Sequence, residues 1–308
     1  MRLRYLISLL VYFAIMLRVI GLNAPTDYNG YRQHLTKSVI LNLENPLKPE
    51  IDDIDGKHYI FMQEFPIYQT IVSIICKLTN NYSWFMLRIF SVICFILALF
   101  LLWELYPNPT VLIVFLFSPL SIAMSRSCQP DMLMIAMQLV AILSFKKKEF
   151  FEGFIGLLIA GLIKPMALCV IVPIMCLRIG KKGYLAILMA LIGCFWWWVW
   201  YSNPIRMASG YPGTAILNSQ YILTSIYYQL SHLGFYKDMG FHLFKTALTP
   251  IGIIFIYGLF KHWNKFWGFW VISSFLALSM FPEQSRQEYY LLMTIIPCSY
   301  FMGRAIDG

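Results

Sequence analysis

The sequence predicts an all-α, polytopic integral membrane protein of about ten transmembrane helices, and three observations carry that prediction. Of 308 residues, 59% are hydrophobic and 13% are charged, with a mean hydropathy of +0.65, whereas a soluble domain carries roughly 25% charged residues. Apolar stretches recur along nearly the whole chain, so a length that would suggest two soluble domains instead suggests a single membrane domain over residues 1–308. The basic residues, finally, collect in short connections between those stretches, as membrane orientation requires.

The elements follow in order. Tyr5 to Leu22 comes after Met-Arg-Leu-Arg and has no small-residue cleavage site, so it reads as a retained first span rather than a signal peptide. A long outside loop, about 23–82, comes next and holds Asp27, Glu44, Glu50, Asp52, Asp53, Asp55 and Glu64. Within it, Phe65 to Leu78 is apolar but too short for a span, which suits a helix lying at the membrane surface. Further spans are expected near 83–105, 110–125, 131–145, 150–163, 165–178, 183–201, 246–261, 266–281 and 289–303. A second long outside loop, about 202–245, contains the apolar piece Ala215 to Leu233, which would suit a lid. Pro119, Pro165, Pro173, Pro250 and Pro297 interrupt or cap the spans, and such breaks need neighbouring helices or a water-filled cavity to satisfy the backbone.

Charge sets the orientation. Lys146, Lys147, Lys148, Arg178, Lys181, Lys182, Lys261 and Lys265, with Arg2, Arg4 and Arg304, put 11 of the 24 basic residues on the side predicted to be cytoplasmic. The short connections on the other side hold only Arg126, Lys164 and Arg286, and most carboxylates lie on that side. The N-terminus is therefore expected in the cytoplasm. The net charge of +9 is spread between apolar segments rather than gathered with stacking aromatics, so no nucleic-acid partner is expected. The seven cysteines show no CxxC and no Cys/His ligand spacing, and they read as small packing residues. The run Asp52, Asp53, Asp55 lacks the rest of a calcium loop.

Acidic residues beside membrane spans are costly to hold and are candidates for function. Asp27 follows the first span, Glu64 opens Glu-Phe-Pro-Ile-Tyr, and Asp131 follows Gln129-Pro130 at a helix start. Pro-Asp at such a position is also an ordinary capping arrangement, and Asp27 could equally be a solvated loop carboxylate. The bases expected to face them are Arg32, Arg88, Arg126, Lys164 and Arg286, and guanidinium groups suit phosphate oxygens because their donor fork binds them in pairs. Trp196, Trp197, Trp198, Trp200 and Tyr201 form an aromatic group that reads first as an interfacial belt and second as the lining of a lipid groove or sugar subsite.

These residues carry a resemblance. Asp27-Tyr28-Asn29-Gly30-Tyr31-Arg32-Gln33, then Glu64-Phe65-Pro66-Ile67-Tyr68, resembles the first outside loop of bacterial polyprenyl-phosphate-sugar-dependent glycosyltransferases of the GT-C superfamily. Those enzymes are related to protein O-mannosyltransferases and the lipid A aminoarabinose transferase. Ser118-Pro119-Leu120-Ser121 leading to Gln129-Pro130-Asp131-Met132 continues the likeness, as do Leu162-Ile163-Lys164-Pro165 and Gln287-Glu288-Tyr289-Tyr290-Leu291. Together the motifs cover roughly residues 5 to 303. Two positions depart from the pattern: the usual Asp-Glu pair reads Asp27-Tyr28, and an expected Asp is Leu35.

The resemblance implies a GT-C fold with juxtamembrane helices in the first outside loop. It also implies inverting transfer of a sugar from a polyprenyl phosphate at the outer face of a bacterial cytoplasmic membrane. The acceptor would be a lipid, glycan or protein, with membrane lipid as the surrounding partner. Asp27 matches the family's catalytic base. Arg32, Glu64, Arg126, Asp131, Lys164, Arg286, Tyr289 and Tyr290 would bind the donor's phosphate or sugar, and Glu64 is also the position for a divalent metal ion. A lipid or glycan transporter, or a noncatalytic subunit of envelope-polysaccharide assembly, is the competing expectation. The absence of an internal repeat gives an inverted-repeat transporter no support.

Overall fold

In the computed structural model the described residues are 2–24, 30–52, 58–61, 64–209, 227–228, 231–279 and 288–308. They fold almost wholly into helices. A first helix α1 (Arg2–Val19) leads to α2 (Gly30–Leu41), and two short antiparallel strands, β1 (Glu50–Asp52) and β2 (His58–Ile60), pair with Ile51 opposite Tyr59. The surface helix α3 (Ile67–Thr79) then precedes α4 (Trp84–Leu105), whose Ser83 accepts a hydrogen bond from the Met86 amide as its N-cap.

Proline positions decide where the following helices stop. α5 (Pro109–Phe117) begins with Pro109 after the cap Asn108, and Pro119 starts a separate α6 (Pro119–Ser125). Pro119 has no N–H for the Phe115 carbonyl, and the Ser121 hydroxyl donates to that carbonyl instead, at 2.7 Å. The next carbonyl, Leu116, accepts from the buried Arg18 guanidinium at 2.6 Å. α7 (Asp131–Lys147) and α8 (Phe150–Ile163) form the most extensive helix pair, joined by a turn through Lys148, which takes a left-handed backbone. At their crossing a Cβ on Gly156 would sit 2.8 Å from the Ala141 nitrogen and 2.9 Å from the Met137 oxygen, so only glycine permits this approach.

Beyond Lys164-Pro165 the chain forms a 3-10 turn (Pro165–Val170) and the short α9 (Ile171–Met175). It then continues in α10 (Gly180–Phe195), a π-turn (Trp196–Tyr201) and α11 (Ser202–Ser209). Helices Leu233–His242, Ile253–Lys261, Lys265–Ser279 and Leu292–Asp307 complete the described chain. The apolar piece expected as a lid, from Ala215, lies mostly outside the described residues.

Among the described residues two helices, Trp84–Leu105 and Gly180–Ile205, are long and apolar enough to cross a membrane, and a third is reached if the bent pair Leu233–Lys245 and Pro250–Lys261 counts as one span. The remaining predicted spans coincide with shorter or broken helices. The stretch 110–125 is divided at Ser118, and 165–178 is a 3-10 turn plus a short helix, because Pro119 and Pro165 remove amide donors. The count of ten is accordingly not reproduced as ten full-length spans.

The two ends of the bundle differ chemically. At one end Lys147 pairs with Glu104, Lys146 donates to the Leu105 carbonyl, and Asn108 and Thr110 donate to Asp307 at 2.7 and 2.6 Å. Those two hydrogen bonds hold the Asp307 carboxyl below its usual range. At the other end the starts of α4 and α7, the ends of α1 and α8, and the loop helices α2 and α3 come together.

Candidate functional site

At that second end, chain breaks create the positions of the charged groups. Lys164 precedes Pro165 and is pushed to an extended backbone, φ −147° and ψ 126°, which ends α8. Pro165 offers no amide to the Gly161 carbonyl. The Trp198 indole, from the π-turn, donates to that carbonyl at 2.7 Å. The adjacent Leu162 carbonyl accepts from the Phe65 amide at 3.1 Å. Two loops distant in sequence therefore complete the broken end of α8 and hold Lys164 between them. Phe65 also meets the Trp197 ring edge-on at 4.6 Å, and Tyr201 donates to the Leu47 carbonyl at 3.2 Å.

Lys164 forms an ion pair with Asp131, the first residue of α7, and the two side chains are 6% and 0% exposed. The ammonium also sits 4.5 Å from the centre of the Tyr290 ring, a cation–π contact. A second ion pair joins Arg32 on α2 to Glu64 at 2.7 Å, and the other Glu64 oxygen accepts from Gln69 on the first turn of α3 at 2.8 Å. Arg32 and Glu64 lie close enough for Lys164 to feel both charges, so the two pairs form one electrostatic cluster. Within it, Asp131 Oδ2 is buried without a hydrogen-bond partner, and both polar atoms of the neighbouring Gln129 side chain are in the same condition. Buried polar atoms left open in this way are uncommon in a native interior and suit a ligand bearing hydroxyl groups, which both donate and accept.

Of the residues expected from sequence, Arg32, Glu64, Asp131, Lys164 and Tyr290 are brought together. Arg126 is placed at the end of α1, where it donates to the Ile20 carbonyl at 3.0 Å. Asp27 and Arg286 lie outside the described residues, as does the side chain of Tyr289. The aromatic group divides: Trp197 and Trp198 are buried, Trp198 bonding the Gly161 carbonyl and Trp197 packing against Phe65, while Trp196 and Trp200 are exposed as a belt would be. Gln69 was not anticipated, and nothing in its local sequence distinguishes it. As for the metal expected at Glu64, both carboxylate oxygens already accept from Arg32 and Gln69. Among the described residues no three His, Cys, Asp or Glu side chains are placed to hold an ion. Among the described residues the partners of Glu64 are those of an ion pair.

Comparison with known proteins adds the following. A family model described as the EpsG family matches residues 6–307. Among solved structures, ArnT from Cupriavidus metallidurans bound to undecaprenyl phosphate superimposes with a TM-score of 0.63 at 11% identity, covering 97% of this chain and 60% of that one. The same protein in its apo state gives a TM-score of 0.62 at 11% identity, covering 100% and 60%. The chain thus spans 60% of the length of the ArnT structures it matches. No curated protein matches it in sequence. The architecture is the GT-C fold of a multi-pass membrane protein.

Proposed function

Because the chain belongs to the EpsG family, we propose that it is a membrane glycosyltransferase. It moves a sugar from a polyprenyl-phosphate donor to an acceptor at the outer face of the cytoplasmic membrane. The observation that carries this reading is the pair of coupled, buried ion pairs, Arg32–Glu64 and Lys164–Asp131, with one Asp131 oxygen left open. The ArnT structure that shares the fold holds undecaprenyl phosphate.

The chemistry divides between the charges. An acceptor hydroxyl or amine attacks the anomeric carbon from the face opposite the phosphate, the carbon–oxygen bond to phosphate breaks, and Asp27 takes the acceptor's proton, inverting the configuration. The departing lipid phosphate gains negative charge, and fixed cations in a partly dry site are most effective against charge that develops in this way. Arg32, Lys164 and Arg286 supply those cations. Lys164 brings an ammonium, which carries three donors. The open Asp131 oxygen accepts from a sugar hydroxyl, and Glu64 also opposes the oxocarbenium charge of the transition state. No step passes through a metal ion.

Transfer of radiolabelled sugar from purified polyprenyl-phosphate sugars, with the protein in nanodiscs, tests the proposal. Asp27→Asn is expected to lower turnover by about 10³-fold while donor binding persists. Chelation is expected to change the rate by less than about twofold, since the cations are side chains. A folded wild type that transfers nothing across a broad donor and acceptor panel overturns the reading.

A further inference from the structure

One buried guanidinium is linked to the segments that carry the two ion pairs. Arg88, on the first turns of α4, is 0% exposed. Its Nη1 donates to the carbonyls of Leu22 and Ala24 at 2.9 and 2.8 Å, where the chain leaves α1. Its Nε donates to the Gln33 side-chain oxygen at 2.9 Å. That same oxygen, on a residue 1% exposed, accepts the Cys128 backbone amide at 3.0 Å. The Trp84 ring lies 4.8 Å from the guanidinium carbon and closes the arrangement on one side.

The connections matter because of what lies next to them. Gln33 adjoins Arg32, which holds Glu64, and Cys128 stands three residues before Asp131, which holds Lys164. Helix α2 and the turn that opens α7 belong to segments far apart in sequence, and this hub joins them directly. We propose that Arg88, acting through Gln33, is a positioning residue that fixes the Arg32–Glu64 pair relative to the Asp131–Lys164 pair. The proposal rests on the glycosyltransferase reading above. Arg88 suits the task because a planar guanidinium aims donors in several fixed directions at once, whereas an ammonium on a flexible stem does not. A misplacement of about 1 Å between reacting groups is enough to slow a reaction by 10²-fold.

Arg88→Lys, which keeps the charge, and Gln33→Ala are each expected to lower kcat by about 100-fold with KM changed less than about threefold. The double variant should be no slower than the slower single one, because both remove the same connection. Gln33→Glu retains the doubly accepting oxygen and should return kcat to within about threefold of wild type. Hydrogen exchange in nanodiscs gives a readout independent of transfer: amides of 30–41 and of 125–131 should exchange faster together in Arg88→Lys and Gln33→Ala. Faster exchange with undiminished kcat overturns the proposal, as do losses that multiply in the double variant. If Arg88→Lys does not fold, the Gln33 pair decides alone, and equal activity of Gln33→Ala and wild type overturns the claim. A wild type silent in transfer fails the glycosyltransferase reading itself, a result visible before any variant is made.

Discussion

Lys164 and Asp131 are held where neither would be tolerated alone. Removing a charge pair from water is expensive, and truncating one partner leaves the other buried and uncompensated, at about 3–5 kcal/mol. Lys164→Met should therefore lower the thermal midpoint of the purified protein markedly, whereas Lys164→Met combined with Asp131→Leu should recover most of that stability and none of the transfer activity. Recovery of transfer in the double variant would show that the pair serves packing alone. The four charged partners were legible as residues because their motifs resemble a family's. Their pairing was not, since a sequence gives no distance between residue 32 and residue 64 or between 131 and 164. Arg88 was visible as a charge inside an apolar run, which is a signal of function in a membrane protein. What it holds, the carbonyls of Leu22 and Ala24 and the amide oxygen of Gln33, could be read only from the fold.

At the level of elements, hydrophobic runs located the helices well, and the predicted 83–105, 131–145 and 150–163 correspond to α4, α7 and α8. The breaks fall where prolines were expected to interrupt or cap the spans: 110–125 divides at Ser118 before Pro119, and 165–178 opens at Pro165 as a 3-10 turn before the short α9. The π-turn at Trp196–Tyr201 carries no periodic signature and falls within the expected span 183–201. The contact of α7 with α8 matters most for the site, because α7 begins at Asp131 and α8 ends one residue before Lys164. Gly156→Leu should separate the two helices, since even a Cβ there falls within 2.9 Å of backbone atoms on α7. Loss of stability by about 2 kcal/mol or more, measured by thermal unfolding in detergent, is the expected result. An unchanged midpoint would mean that the helices do not approach as closely as described.

Across the whole molecule, composition was sufficient to place the chain in a membrane, and the charge count predicted which end faces the cytoplasm. Glu104, Lys146, Lys147 and Asp307 do gather at the end opposite the site. The proposed orientation can be measured without a new label. Cys176 is the one exposed cysteine of the seven, caps α9 and lies two residues before Arg178, at the end of the span 165–178 expected to face the cytoplasm. A membrane-impermeant maleimide should modify it in inverted vesicles and not in right-side-out ones, with Cys176→Ser abolishing the signal. Labelling from the opposite side would reverse the topology and remove the outer-face placement of the reaction.

The broken end of α8 also bears on biosynthesis. A carbonyl in lipid without a donor is strongly disfavoured, and the donor for Gly161 is supplied by Trp198, 37 residues later in the chain. During N-to-C synthesis, Phe65 is already present to meet Leu162, but α8 remains incomplete until α10 and its π-turn have left the ribosome. Lys164 thus reaches its final setting only when more than half of the protein has been made. A nascent chain halted before residue 198 would carry the charged residues Arg32, Glu64, Asp131 and Lys164 without the support that holds them together.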